Sequence, residues 1–372
     1  MSHLPAVRPV LRAFLLLLAL VAGVRPARGQ VPVGTVQGVA VRDEDAAPIA
    51  FALVRLLRAD TGSGTEPAAV RQAIANANGH FALADVPPGT YRLQLARIGY
   101  QPVLSPVLRV AAGATLRHEL RGPARAVELA AVTVRADGGC LTLARLSDDP
   151  RLATLWQEGR KGIETRLAFE RQYRFTRTQR QSGVVNLRLF RRRIRRADST
   201  RSEPDSVDAR RARRIAQFDA DGFGDKLGRI QFPNEVHLLN EIYMRSQCLE
   251  YVEAAADSAG GARAGAPAGA VGLRFWPAGP RRDRLEGAGT LWLDRQSFLA
   301  RRLDMRWTWN GAEHASGHLH YADVPLAGGV LRMPVRGDAA MRPVGVLLTT
   351  MMRGASVAAD LEYRGVKPAG AP

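Results

Sequence analysis

Lysine is nearly missing from this 372-residue chain: it occurs only at 161, 226 and 367, among 53 basic residues. The formal charge of +18 is therefore almost all arginine, in a sequence rich in alanine and glycine. Such a balance gives a solvated basic surface and a general attraction to anions. Cysteine is scarce as well, with Cys140 and Cys248 alone. Beyond residue 24 no run approaches 18 apolar residues, which argues against a membrane-spanning helix in the rest of the chain. No Gly-x-Ser-x-Gly elbow, Walker loop or Rossmann fingerprint occurs, and the common esterase, nucleotide and dinucleotide chemistries lose their usual signatures.

What is present begins with a leader. Arg8 and Arg12 precede an apolar run over residues 13–24, and Ala27-Arg28-Gly29 puts small residues at the −3 and −1 positions of a cut before Gln30. Residues 1–29 read as a secretory signal peptide. The leader takes four arginines and no acid with it, leaving +14 of the +18. No cysteine follows the run, so a lipid-anchored start is not expected. The exported remainder is expected to be soluble, in the periplasm, at the outer-membrane periphery or outside the cell. Nucleic acid is not an expected partner there. An oxidising compartment favours a disulfide between Cys140 and Cys248. It would close a loop of about a hundred residues, worth ~4–5 kcal/mol in chain entropy.

Residues 30–136 read as a small all-β domain. Phe81 and Leu83 alternate with Ala82 and Ala84, Pro87-Pro88-Gly89 turns the chain with Gly89 accepting a positive φ, and Tyr91, Leu93 and Leu95 resume the alternation. The expectation is a hairpin. Further short segments recur about every ten residues, from 35–41 to 127–134, and indicate a sandwich. The set Gly38-Val-Ala-Val-Arg-Asp, Pro48-Ile-Ala-Phe-Ala-Leu-Val, Asn78-Gly-His-Phe, Val86-Pro-Pro-Gly-Thr-Tyr-Arg-Leu, Ile98-Gly-Tyr and Val127-Glu-Leu-Ala-Ala-Val-Thr-Val resembles the carboxypeptidase regulatory-like domain. That resemblance implies a transthyretin-like, immunoglobulin-type sandwich, grouped with carbohydrate-binding-like folds, and a binding or support role. The same module opens many outer-membrane receptors, whose lead-in strand the 129–134 segment is similar to. The roughly 235 residues that follow are too few for the plug and barrel of such a receptor.

Residues 137–363 change pattern. Leu152, Leu155, Trp156, Gly159, Ile163 and Leu167 fall at steps of three and four, with Asp149 as N-cap and Pro150 at the first position, so 150–170 reads as an amphipathic helix. Strands then resume: a hairpin turning at Ser182-Gly183, a strand over 240–252 carrying Cys248, and six or seven more up to residue 363. Residues 195–214 and 253–270 read as mobile loops and 364–372 as a disordered tail. The fold class is mainly β: a sandwich, then one helix with an antiparallel meander forming a curved sheet or partial barrel. That shape resembles the lipoprotein-carrier folds of the bacterial envelope, and the strand, Asp-centred turn and strand over 289–303 is similar to theirs.

The resemblance to the regulatory domain invites a search for the zinc site of a peptidase. The residues three beyond His80, His118 and His237 are Leu83, Arg121 and Asn240, so no His-x-x-Glu pair exists at these positions. His314, His318 and His320 share a strand face, with no acid or thiol in an obvious second position. Asp219, Asp221 and Asp225 lack the spacing and terminal glutamate of a calcium loop. No catalytic residue, metal or cofactor is expected. Trp292, Trp307 and Trp309 on adjacent strands form a candidate ligand platform, or else ordinary core. The expectation is a non-enzymatic envelope protein that binds carbohydrate. Handling of an acyl chain or lipoprotein, or service to an outer-membrane transporter, is the alternative.

Overall fold

Alternation of buried and exposed residues runs through the strands on either side of Pro87-Pro88. In β4 (His80–Val86) Phe81, Leu83 and Val86 are buried, and in β5 (Gly89–Ala96) Tyr91, Leu93 and Leu95 are. The computed structural model describes residues 32–59, 69–122, 127–129, 140–210, 212–213, 216, 241–254, 265–279, 285–309, 311–342 and 352–369. The leader, the candidate strands at 130–134 and 344–351, Asp219, Asp221 and Asp225, and residues 255–264 of the second loop lie outside these.

β4 and β5 do not pair with each other. β4 joins β1 (Gly34–Arg42) and β8 (Thr115–Gly122) in the order β4-β1-β8, with β1 and β8 parallel. β5 joins the other sheet, β3 (Arg71–Ile74), β2 (Leu53–Arg58), β5 and β6 (Val103–Leu104), with β7 (Leu108–Val110) also on β5. Pro87-Pro88 therefore makes an arch between two layers, correcting the expected hairpin. The Tyr91 hydroxyl staples this arch by donating to Pro87 O at 2.8 Å. Positive φ falls on Asp85 (53°) and not on Gly89. Val36, Ala40, Val54, Leu56, Phe81 and Tyr91 fill the space between the layers.

The helix α1 (Pro150–Gln172) starts where its cap predicts: Asp149 Oδ1 accepts from Arg151 N at 3.0 Å and Leu152 N at 3.2 Å. It is buried on two sides. Leu152, Leu155, Trp156, Ile163 and Leu167 meet the sheet, while Ala168 and Phe169 share a second cluster with Phe51, Leu53 and Ile74 of the sandwich. The helix lies across the strands. Arg151 at its start stacks on Tyr251, and Phe169 near its end meets Met333 and Phe175.

The C-terminal sheet has nine antiparallel strands, in the order β10-β9-β17-β16-β15-β14-β13-β12-β11, and no closed barrel. They are β9 (Tyr173–Leu187), β10 (Arg191–Arg201), β11 (Gln247–Glu253), β12 (Ala270–Pro277), β13 (Glu286–Asp294), β14 (Ala300–Trp309), β15 (Ala312–Leu326), β16 (Gly329–Met341) and β17 (Met352–Pro368). Four expectations are corrected. The hairpin turns at 188–190, because Gly183 sits mid-strand where a Cβ would lie 2.6 Å from Ser356 O. Residues 195–201 are strand, not loop, paired to β9 along its length, and 204–206 form a 3-10 turn. Residues 364–368 continue β17 against Tyr173 and Arg174, so this part of the tail is ordered. A short helix (Glu241–Arg245) also precedes β11 where continuous strand is expected.

Candidate functional site

The sandwich, the helix and the nine-stranded sheet meet around a cavity of about 630 Å³. Its sandwich wall is the turn after β5. Gly99 there is left-handed (φ 78°), which glycine adopts without steric cost, and a Cβ would approach Ser297 O at 3.2 Å. The turn is fixed to the helix by charge. Glu158 Oε2 accepts from Gly99 N at 2.8 Å, and Lys161 Nζ donates to Tyr100 O at 2.8 Å. Glu158 and Lys161 also pair with each other at 2.5 Å, both buried. The helix wall is bared by two glycines. A Cβ on Gly159 would stand 3.1 Å from Leu291, and one on Gly162 3.5 Å from Ile98. The helix backbone therefore comes close to Leu291 and Ile98 at the cavity wall.

The sheet supplies Leu291, Leu293, Phe298, Ala300, Tyr321 and Leu331. Phe298 is held by a tight turn between β13 and β14. Asp294 Oδ1 accepts from Gln296 N (3.1 Å), Ser297 N (3.0 Å) and Ser297 Oγ (3.0 Å). Partial burial, the largest single influence, works to raise the Asp294 carboxyl, but the bonds from Ser297 and Gln296 and the nearby Arg301 together hold it below its ordinary value. The mouth lies at the turn between β15 and β16. Val330 on its rim is 56% exposed, Ala77 lies beside Gly328, and the Phe51 ring packs against Gly329. Arg97, stacked over Tyr100, the Asp323–Arg332 pair at 3.0 Å, Glu158 and Arg166 add charge to the mostly apolar walls. A mostly apolar hollow with a few polar groups, in the ~300–1,000 Å³ range, is the usual form of a small-molecule site.

The tryptophans expected as a platform are not on one open face. Trp307 is 2% exposed in the core beneath α1, with Trp309 partly buried beside it. Trp292 is 5% exposed, and its Nε1 donates to Asp304 at 2.6 Å. It lies on the opposite side of the sheet, since its neighbours Leu291 and Leu293 face the helix. Buried rings cannot stack on a sugar. Cys140 and Cys248 form a disulfide, beside a backbone bridge from Leu249 N to Leu141 O. His318 does meet an acid, Asp304, at 2.7 Å, which the sequence reading missed. That carboxylate is shared with Arg302 and Trp292, and among the described residues no group of three His, Cys, Asp or Glu could hold a metal. The Glu158–Lys161 clamp was missed too. Its signal is an acid and a base three apart on a helical stretch with Gly159 and Gly162 between and beside them.

The fold and hollow define a β-rich protein with a β-sandwich as one wall of a candidate binding site. The sandwich carries a carboxypeptidase regulatory-like domain: residues 35–121 match that family's model, which leaves the helix and nine-stranded sheet outside the match. Among solved structures, the minor pilin of Streptococcus agalactiae is 16% identical with a TM-score of 0.20, over 28% of this chain and 49% of that one. A candidate carbohydrate-binding protein from Pseudomonas aeruginosa is 16% identical at 0.18, over 26% and 92%. A cohesin–X-dockerin complex from Acetivibrio cellulolyticus is 23% identical at 0.18, over 24% and 56%. The chain thus spans about half the length of the pilin it matches. Likeness at these scores carries no weight below. No curated protein matches this chain.

Proposed function

We propose that this is an exported, non-catalytic binding protein that holds an acyl-chain ligand in the cavity between sandwich, helix and sheet. The observation that carries the reading is the hollow itself: about 630 Å³, walled by Ile98, Ile163, Leu291, Phe298 and Leu331. Carbohydrate stacking has lost its platform, because Trp292 and Trp307 are buried. Arg97, among the lining residues, suits an anionic headgroup. The leader and the Cys140–Cys248 bridge support export. In this reading the sandwich is a support, fixed to the site by Glu158 and Lys161.

The test is native purification followed by solvent extraction and lipid mass spectrometry, with cis-parinaric acid fluorescence as a direct binding assay. The expected result is a bound fatty acyl species and saturable probe binding. Ala77→Trp, placed opposite Gly328, plugs the mouth and lowers probe binding while the fold melts normally. An acyl-free extract together with no saturable probe binding overturns the reading.

A further inference from the structure

The β9–β10 hairpin ends in a surface that the cavity does not use. Its sequence is Arg188-Leu189-Phe190-Arg191-Arg192-Arg193-Ile194-Arg195-Arg196, six arginines in nine residues. Leu187 N donates to Phe190 O at 2.9 Å, which closes the turn and puts Arg188 and Leu189 at the tip. Leu189 is 93% exposed, Phe190 57% and Ile194 41%. Among the described residues no carboxylate pairs with Arg188, Arg191, Arg192, Arg193 or Arg195, while Arg196 meets Asp198 at 2.6 Å. Among the described residues β10 is an edge strand, bonded only to β9. Alternation sends its arginines to both sides of the hairpin, so they surround the apolar tip.

Four occupants compete for such a surface. Charge along an edge strand guards against edge-to-edge pairing, which accounts for the arginines but not for an exposed Leu-Phe pair. A second copy of this chain would set like charges against each other. An acidic polysaccharide would use the arginines and leave Leu189 and Phe190 in water. A bilayer bearing anionic phospholipid takes both: headgroup phosphates receive the guanidinium groups, and the acyl boundary takes the leucine and phenylalanine. We infer that the 188–196 hairpin docks this protein on an anionic phospholipid surface, with Leu189 and Phe190 inserted and the flanking arginines on the headgroups.

The test is vesicle flotation of the full chain. Wild type rises with phosphatidylcholine vesicles containing one third phosphatidylglycerol, does not rise with pure phosphatidylcholine, and is released by salt. Arg191→Gln/Arg192→Gln/Arg193→Gln lowers partitioning about a hundredfold. Leu189→Ser/Phe190→Ser lowers it at least about tenfold. The replaced side chains are exposed, and a thermal melt checks that both variants keep the fold. A second readout uses Leu189→Trp: brominated phosphatidylglycerol vesicles quench it, and brominated phosphatidylcholine vesicles do not. Failure of wild type to float, equal flotation on both vesicles, or full binding by the Leu/Phe variant each overturns the inference, the last because it indicates a purely electrostatic, polymer-like partner. None of the nine residues lines the cavity, so this result and the acyl-binding result are separable.

Discussion

Glu158 and Lys161 stand one helical turn apart, both buried, and each also bonds a backbone group of the sandwich: Gly99 N donates to the carboxylate, and the ammonium donates to Tyr100 O. A buried pair of this kind is weak evidence for stability, because desolvation offsets most of the attraction. Its effect is positional. Two charges on α1 accept one register of the Ile98-Gly99-Tyr100 turn, and that register leaves the cavity between them and the sheet open.

The first prediction follows from the asymmetry of such pairs. Lys161→Met strands a buried carboxylate and costs about 3–5 kcal/mol in urea denaturation. Glu158→Gln combined with Lys161→Met costs less than Lys161→Met alone, since no charge is left buried. A Lys161→Met protein as stable as its parent would show that the pair is solvated and does not clamp the turn.

The disulfide gives a second. Cys140 and Cys248 are 108 residues apart, and their bridge pins the segment before α1 to β11. Replacing both by serine lowers unfolding free energy by ~2–5 kcal/mol. Reductant should shift the wild-type denaturation midpoint toward that of the double variant and leave the variant unmoved. A wild-type midpoint indifferent to reductant counts against the bridge.

Much of this architecture could be read from residue order. Phe81, Leu83, Tyr91 and Leu93 alternate because each strand buries one face, and that pattern identifies strands whichever sheet they enter. It cannot say which sheet, so the arch at Pro87-Pro88 looks like a hairpin. Gly183 misled for a related reason: close approach to Ser356 requires glycine in mid-strand, and glycine in sequence signals a turn. The charges of residues 195–201 suggested a loop, although an edge strand with solvent on both faces tolerates them. The α1 start was legible because Asp149-Pro150 is a local signal. The cavity was not, because Tyr100, Gly162 and Phe298 come together only through tertiary packing.

A third prediction concerns a contact between sandwich and sheet. Gly329 carries no side chain where Phe51 lies against it, and a Cβ there would fall 2.1 Å from the Phe51 ring. Phe51 is itself in a left-handed conformation (φ 55°), so its backbone has little room to yield. Gly329→Ala therefore costs about 1–3 kcal/mol by overpacking. It also lowers cis-parinaric acid binding, because the turn beside Val330 shifts at the mouth. Unchanged stability in Gly329→Ala would place Phe51 elsewhere.

The last prediction is a pH dependence at Asp294. Its carboxyl sits lower in the folded protein than its ordinary value of 3.8, so folding favours the ionised form. The sign follows: the contribution is complete above that ordinary value and is lost as pH falls through the lower, folded one. Asp294→Asn keeps an oxygen for the bonds from Ser297 and Gln296 but has nothing to titrate. Denaturation midpoints of the two proteins should therefore lie apart at neutral pH, wild type the more stable, and converge in acid. Asp294→Ala removes the acceptor as well and is expected to be less stable than Asp294→Asn at every pH, by about 1 kcal/mol. Because this turn positions Phe298 against the cavity, the alanine variant should also bind the acyl probe more weakly. Parallel wild-type and Asp294→Asn curves from neutral to acid would mean that the carboxylate is solvated and that Phe298 is held by packing alone.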